Sequence, residues 1–86
     1  MNYLVRGGES KERVKLLLKL TRVNSENVVD AIIDHLCTGH SENHSSVVND
    51  ITQSNFNRAM SRLNEVAGTV EAIKELDWDK FKSVNR

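Results

Sequence analysis

From Phe56 to Ile73 apolar residues return in alternating steps of three and four: Phe56, Ala59, Leu63, Val66, Val70, Ile73. A seam of that 3.5-residue period belongs to a helix, because a strand repeats every second residue. Met60, Ala67 and Leu76 broaden the stripe and Thr52 or Gln53 opens it, which predicts one helix from about residue 53 to residue 76. Gly68 inside that helix costs it roughly 1 kcal/mol relative to alanine. The chain has no proline and only four glycines, too few punctuators for an all-β chain with many turns. The expected fold class is therefore all-α: a small helical bundle, one domain over residues 1–86, near the lower end of sizes that fold alone.

Upstream, behind a short arm of residues 1–8, Ser10 is placed to cap a helix with an apolar face of Val14, Leu17, Leu18 and Thr21, widened by Leu16 and Leu20. Its other side carries Lys11, Lys15, Lys19 and Arg22, either a solvated stripe or one that faces phosphates. Asn24 or Ser25 caps a second helix, with Glu26 at the positive end of its dipole and Val28, Val29, Ile32, Ile33 and Leu36 as its core face. Gly39 fits the left-handed position that ends many helices. Between His40 and Asn55 serine and asparagine abound, and only Val47, Val48 and Ile51 offer apolar surface. That segment is either a short helix from Ser41 or a loop, since Ser and Asn compete with helical backbone hydrogen bonds. Trp78 and Phe81 are expected to fold back as an aromatic plug or to meet another subunit.

Twelve acids balance twelve bases, but they fall in blocks. Residues 1–22 hold six bases against two acids, and residues 23–50 hold five acids with no Lys or Arg. Residues 51–64 hold Arg58 and Arg62 with no acid, and residues 65–79 set five acids against Lys74. A short basic window thus lies between two acidic ones.

Several classes fall away. One cysteine, Cys37, permits no internal disulfide and fits a reducing cytosol. No stretch approaches the roughly 18 apolar residues of a membrane span, so the chain reads as soluble and cytoplasmic. His35, Cys37, His40 and His44 lie close together, but Cys37 has no cysteine partner and paired zinc-ligand spacing is missing, so no metal is expected. There is no nucleophile elbow and no Gly-rich phosphate loop, hence no enzyme and no cofactor.

What remains is a short helix, a polar turn and a longer helix over residues 41–66, the layout of a helix-turn-helix whose second helix reads the major groove. On that second helix Gln53, Ser54, Asn55, Asn57, Arg58, Ser61 and Arg62 face outward, with no acid between Ile51 and Asn64. Lys11, Lys15 and Lys19 are candidate auxiliary phosphate contacts. The pattern alone also suits an exposed helix start in a protein-interaction adapter that does not bind DNA; steep salt dependence separates the two readings.

The strings "DHLCTGHS" at residues 34–41 and "NFNRAMSRL" at residues 55–63 resemble the PapB family of adhesin (fimbrial) operon regulators. The resemblance implies a helical DNA-binding protein with a helix-turn-helix-like segment, acting on A/T-rich promoter repeats as an oligomer. It carries the reading helix over through Phe56, Arg62 and Leu63, and carries no DNA contact to Glu42 or Ser46. For self-association the candidate seam is Phe56, Leu63, Val66, Val70 and Ile73, which serves equally well as internal core.

Overall fold

The computed structural model describes residues 2–84, and side chains through residue 81. Helix α1 spans Lys11–Lys19, and α2 spans Glu26–Ile33 and runs on into a π-helical turn, Asp34–Thr38. Helix α3 spans Glu42–Val48 and α4 spans Gln53–Val84; the described residues contain no strand. At 1.5 Å per residue the 32 residues of α4 reach about 48 Å, which sets the long axis of a molecule measuring 52 × 22 × 22 Å.

Hydroxyl caps define three of the helix starts. Ser10 Oγ accepts from the Arg13 amide at 3.1 Å, Ser41 Oγ from His44 at 3.0 Å, and Thr52 Oγ1 from Asn55 at 3.1 Å. Each satisfies an amide that has no partner inside its own helix. Gly39 closes the π-helical turn at φ +89°, a conformation that a Cβ would strain.

The core gathers Val14, Leu17 and Leu18 of α1, Ala31, Ile32 and Leu36, and the seam residues Phe56, Ala59, Leu63 and Val66 of α4. The expected subunit seam therefore divides. Phe56, Leu63 and Val66 are consumed by the chain's own core, Val70 is half-buried, and Ile73 is exposed. The α1 helix lies antiparallel along α4: Arg13 bridges Glu71 at 3.2 Å, and Arg22 beyond its other end borders the same groove as Arg58 and Arg62. Past that overlap α4 extends beyond the other described helices.

The N-terminal arm is stitched to this frame. Leu4 is buried in the core, Arg6 Nε donates to Gly39 O at 2.7 Å, and the Gly7 and Glu9 amides donate to the carbonyls of His35 and Leu36 in the π-helical turn. Tyr3 lies across α4 at Gly68, where an added Cβ would come within 2.7 Å of the tyrosine ring. The glycine that weakens α4 as a helix thus makes room for the arm.

Four expectations change. Leu16 and Leu20 point to solvent rather than widening the core face of α1. The α3 segment is helical, but its faces are reversed: Ser45 and Ser46 are buried, while Val47 and Val48 are 70% and 62% exposed. Small side chains let a two-turn helix approach its neighbours closely, and Ser46 Oγ is satisfied by donating to Glu42 O at 2.9 Å. The α4 helix continues to Val84 instead of stopping near residue 76. Trp78 and Phe81 consequently do not fold back; they stack on each other along the helix at 5.7 Å.

Candidate nucleic-acid interface

The α3 helix, a turn over residues 49–52 and the start of α4 form a helix-turn-helix. Asn49 fixes its geometry by donating both to Asp34 Oδ2 and to Ser45 O at 2.8 Å, tying the end of α3 to the π-helical turn. Asp50 then takes a left-handed conformation, φ 56°, and Ile51 turns inward against the core. The consequence is that α4 begins with a fixed orientation and a fixed exposed face.

All seven residues expected on that face, Gln53, Ser54, Asn55, Asn57, Arg58, Ser61 and Arg62, are exposed, while Phe56 and Ala59 between them are buried. They do not form one uniform surface. Asn55, Arg58 and Arg62, spaced by three and four, stand on the flank toward the turn between α1 and α2; helical spacing places Ser54, Asn57 and Ser61 along the outer crest. The first turn of α4 holds no acid, so its dipole presents an unneutralised positive end to solvent. Arg62 makes an exposed ion pair with Glu65 at 3.1 Å, a contact worth roughly 0–1 kcal/mol and open to replacement by a phosphate.

On the flank, Arg58 and Arg62 face Arg22 across a groove floored by Val23, Val28 and Ala59, with Asn24, Ser25 and Asn55 as its other polar walls. Among the described residues no carboxylate lines it. Sequence reasoning placed Arg22 with the lysines of α1 and left it out of the reading surface. Nothing local marks it, because its position beside α4 comes from the packing of α1 against that helix.

The six bases of residues 1–22 have separated roles. Arg6 holds Gly39 and Arg13 holds both Glu9, at 2.7 Å, and Glu71. Lys15 and Lys19 line a second groove, which shares Val23 and Asn24 with the first. Lys11 stands with Lys15 in a third groove that also contains Asp30 and Asp34, so its charge is offset by neighbouring carboxylates.

The histidine-cysteine segment is occupied by structural contacts. His35 is buried, its Nδ1 lies 2.8 Å from His40 O, and its ring meets Phe56 edge-on at 5.6 Å. His40 and His44 meet edge to face at 4.5 Å. Burial pushes the Cys37 thiol above its ordinary pKa, Lys11 works against that shift and Glu9 adds to it. Among the described residues no group of three or more His, Cys, Asp and Glu converges as a metal site, and no helix is long and apolar enough to cross a membrane.

The arrangement is similar to known proteins. No curated protein sequence matches the chain. Among solved structures it is similar to the crystal structure of E. coli FocB, with 25% identity over 85% of this chain and 83% of that one and a TM-score of 0.78. The family model for the adhesin biosynthesis transcription regulatory protein PapB matches residues 1–76, which takes in the arm, the bundle and the whole helix-turn-helix. The chain therefore belongs to the PapB family of adhesin biosynthesis transcription regulators.

Proposed function

We propose that this transcription regulator binds double-stranded DNA directly, at A/T-rich repeats in the promoter of a fimbrial or adhesin operon, and that it does so as an oligomer in the cytoplasm. The observation that carries the reading is the start of α4: seven exposed polar or basic residues, no acid, and a rigid support behind them. Gln53, Ser54, Asn55, Asn57 and Ser61 supply donors and acceptors for base edges, and Arg58 and Arg62 supply guanidinium groups for bases or phosphates. Lys15 and Lys19, with Lys11 behind them, add attraction for phosphate without sequence information.

Oligomerisation follows from the limits of one module. A single small domain covers roughly 600–1,000 Å² on DNA, too little for tight discrimination unless it is repeated. The projecting end of α4 offers the surface for a second copy: Ile73, Leu76, Trp78 and Phe81 are all more than half exposed. Symmetric pairing there sets the spacing between two reading helices.

Titration of an A/T-rich promoter duplex with the wild type, Arg58→Ala and Arg62→Ala tests the reading. A base contact predicts a loss of roughly 1–3 kcal/mol and weaker sequence preference, whereas a phosphate contact predicts equal loss on all sequences. Unchanged binding in both variants, with helical circular dichroism intact, would remove the reading role from Arg58 and Arg62, and a wild type that does not bind the duplex would leave an adapter as the better account.

A further inference from the structure

We infer that the turn between α1 and α2, through Arg22, is a second DNA-backbone contact that grips the strand flanking the reading helix. The inference rests on the DNA-binding reading above and adds an element that lies outside the helix-turn-helix.

Three arginines from two separate parts of the chain border one groove: Arg22 from the turn, Arg58 and Arg62 from α4. Among the described residues no carboxylate lies within ion-pair distance of Arg22 or Arg58, and none lines the groove. Arg62 has only its exposed ion pair with Glu65, at 3.1 Å, to offset these charges, so the groove is complementary to an anion that meets all three. Its apolar floor and open shape exclude a small, deeply hydrogen-bonded ion site. A phosphodiester strand fits both features, since its charges recur along a line while its sugars offer apolar surface between them.

A second groove lies beside Arg22's. Val23 and Asn24 also border the neighbouring groove lined by Lys15 and Lys19, so basic residues flank both sides of this turn, from α4 to α1. Acid enters at Lys15, which with Lys11 also borders the groove that holds Asp30 and Asp34. The described basic residues that border only acid-free grooves therefore run from Arg62 and Arg58 through Arg22 to Lys19. A cation at Arg22 positions the protein and carries no base readout.

The test is a salt titration of Arg22→Gln, Arg62→Gln and the wild type on an A/T-rich duplex and a G/C-rich duplex of equal length. Arg22 is exposed, and matching circular dichroism confirms that the variant is folded. Loss of one phosphate contact lowers the magnitude of the log K against log salt slope by about 0.9, which amounts to about eightfold in affinity at 0.1 M salt when extrapolated from 1 M. The expected result is that shift on both duplexes, with the ratio between them unchanged. An Arg22→Gln protein with wild-type slope and affinity, beside a weakened Arg62→Gln protein, overturns this inference and spares the reading helix. A changed ratio between duplexes overturns it too, since Arg22 would then be reading bases. Full binding by both variants overturns this inference and the role given to Arg62, while a wild type that binds neither duplex in a salt-dependent way overturns the DNA-binding reading and this inference together.

Discussion

The two halves of α4 are one unbroken helix with opposite surroundings. From Gln53 to Val70 three helices and the N-terminal arm cover one face, and the seam residues Phe56, Ala59, Leu63 and Val66 disappear into the core. From Ile73 onward no other helix among the described residues lies alongside, and Ile73, Leu76, Trp78 and Phe81 remain more than half exposed. Apolar residues continue through both halves, but the strict seam does not: its next two positions are Asp77 and Lys80. Beyond the bundle the apolar surface shifts to Leu76, Trp78 and Phe81. Periodicity makes a helix amphipathic, and what lies opposite decides whether the apolar face becomes core or interface.

The largest expected effect contrasts two aromatics. Phe56→Ala removes a ring with no solvent exposure and should cost about 3–5 kcal/mol, enough to unfold much of a small domain. Trp78→Ala, on the projecting half, should change the stability of the isolated subunit by less than about 0.5 kcal/mol. Urea denaturation at low protein concentration compares them. Equal losses would show that the projecting half is part of the folding unit after all.

A smaller effect probes the support behind the reading half. Ser45 Oγ is buried without a hydrogen-bond partner, whereas the neighbouring Ser46 hydroxyl is bonded within α3. Ser45→Ala removes an unsatisfied group and should raise stability by about 1 kcal/mol. Ser46→Ala should gain less, and the same denaturation experiment ranks the two. A Ser45→Ala variant that loses stability would mean that its hydroxyl has a partner.

The smallest effect lies where the two halves meet, at Gly68. In a Tyr3→Ala background Gly68→Ala should stabilise by about 1 kcal/mol, the ordinary helix-propensity gain. In the wild type the new methyl meets the Tyr3 ring, and that gain should shrink or reverse. A double-mutant cycle measures the difference. Additive changes would show that the arm does not rest on the glycine.

Much of this architecture could be read from local chemistry. Ser10 and Ser41 are caps because a hydroxyl three residues before an unpaired amide is a local device, and Gly39 ends its helix for a reason confined to its own φ. The seam announced α4, and the exposed reading face followed from it. Non-local features were not legible. A seven-residue helix is too short to display its period, so the visible valines of α3 suggested the wrong buried face, and the small serines won because they allow close packing. The π-helical turn depends on carbonyls answered by the arm, and Arg22 joins Arg58 and Arg62 only once α1 packs along α4. The far end of α4 was underestimated because the apolar pattern changes there while nothing in the sequence stops the helix.

The proposed division of α4 into a DNA-reading half and a self-associating half is tested most directly by sedimentation equilibrium of the wild type and Ile73→Asp. Ile73 suits this better than Val70, which is half-buried and packs against the core, so that a charge there disturbs folding as well. The expected result is a wild type that is at least dimeric and an Ile73→Asp protein that is monomeric, with unchanged helical circular dichroism and weaker binding to repeated sites. A wild type that stays monomeric at every concentration, or an Ile73→Asp chain that unfolds, would contradict it.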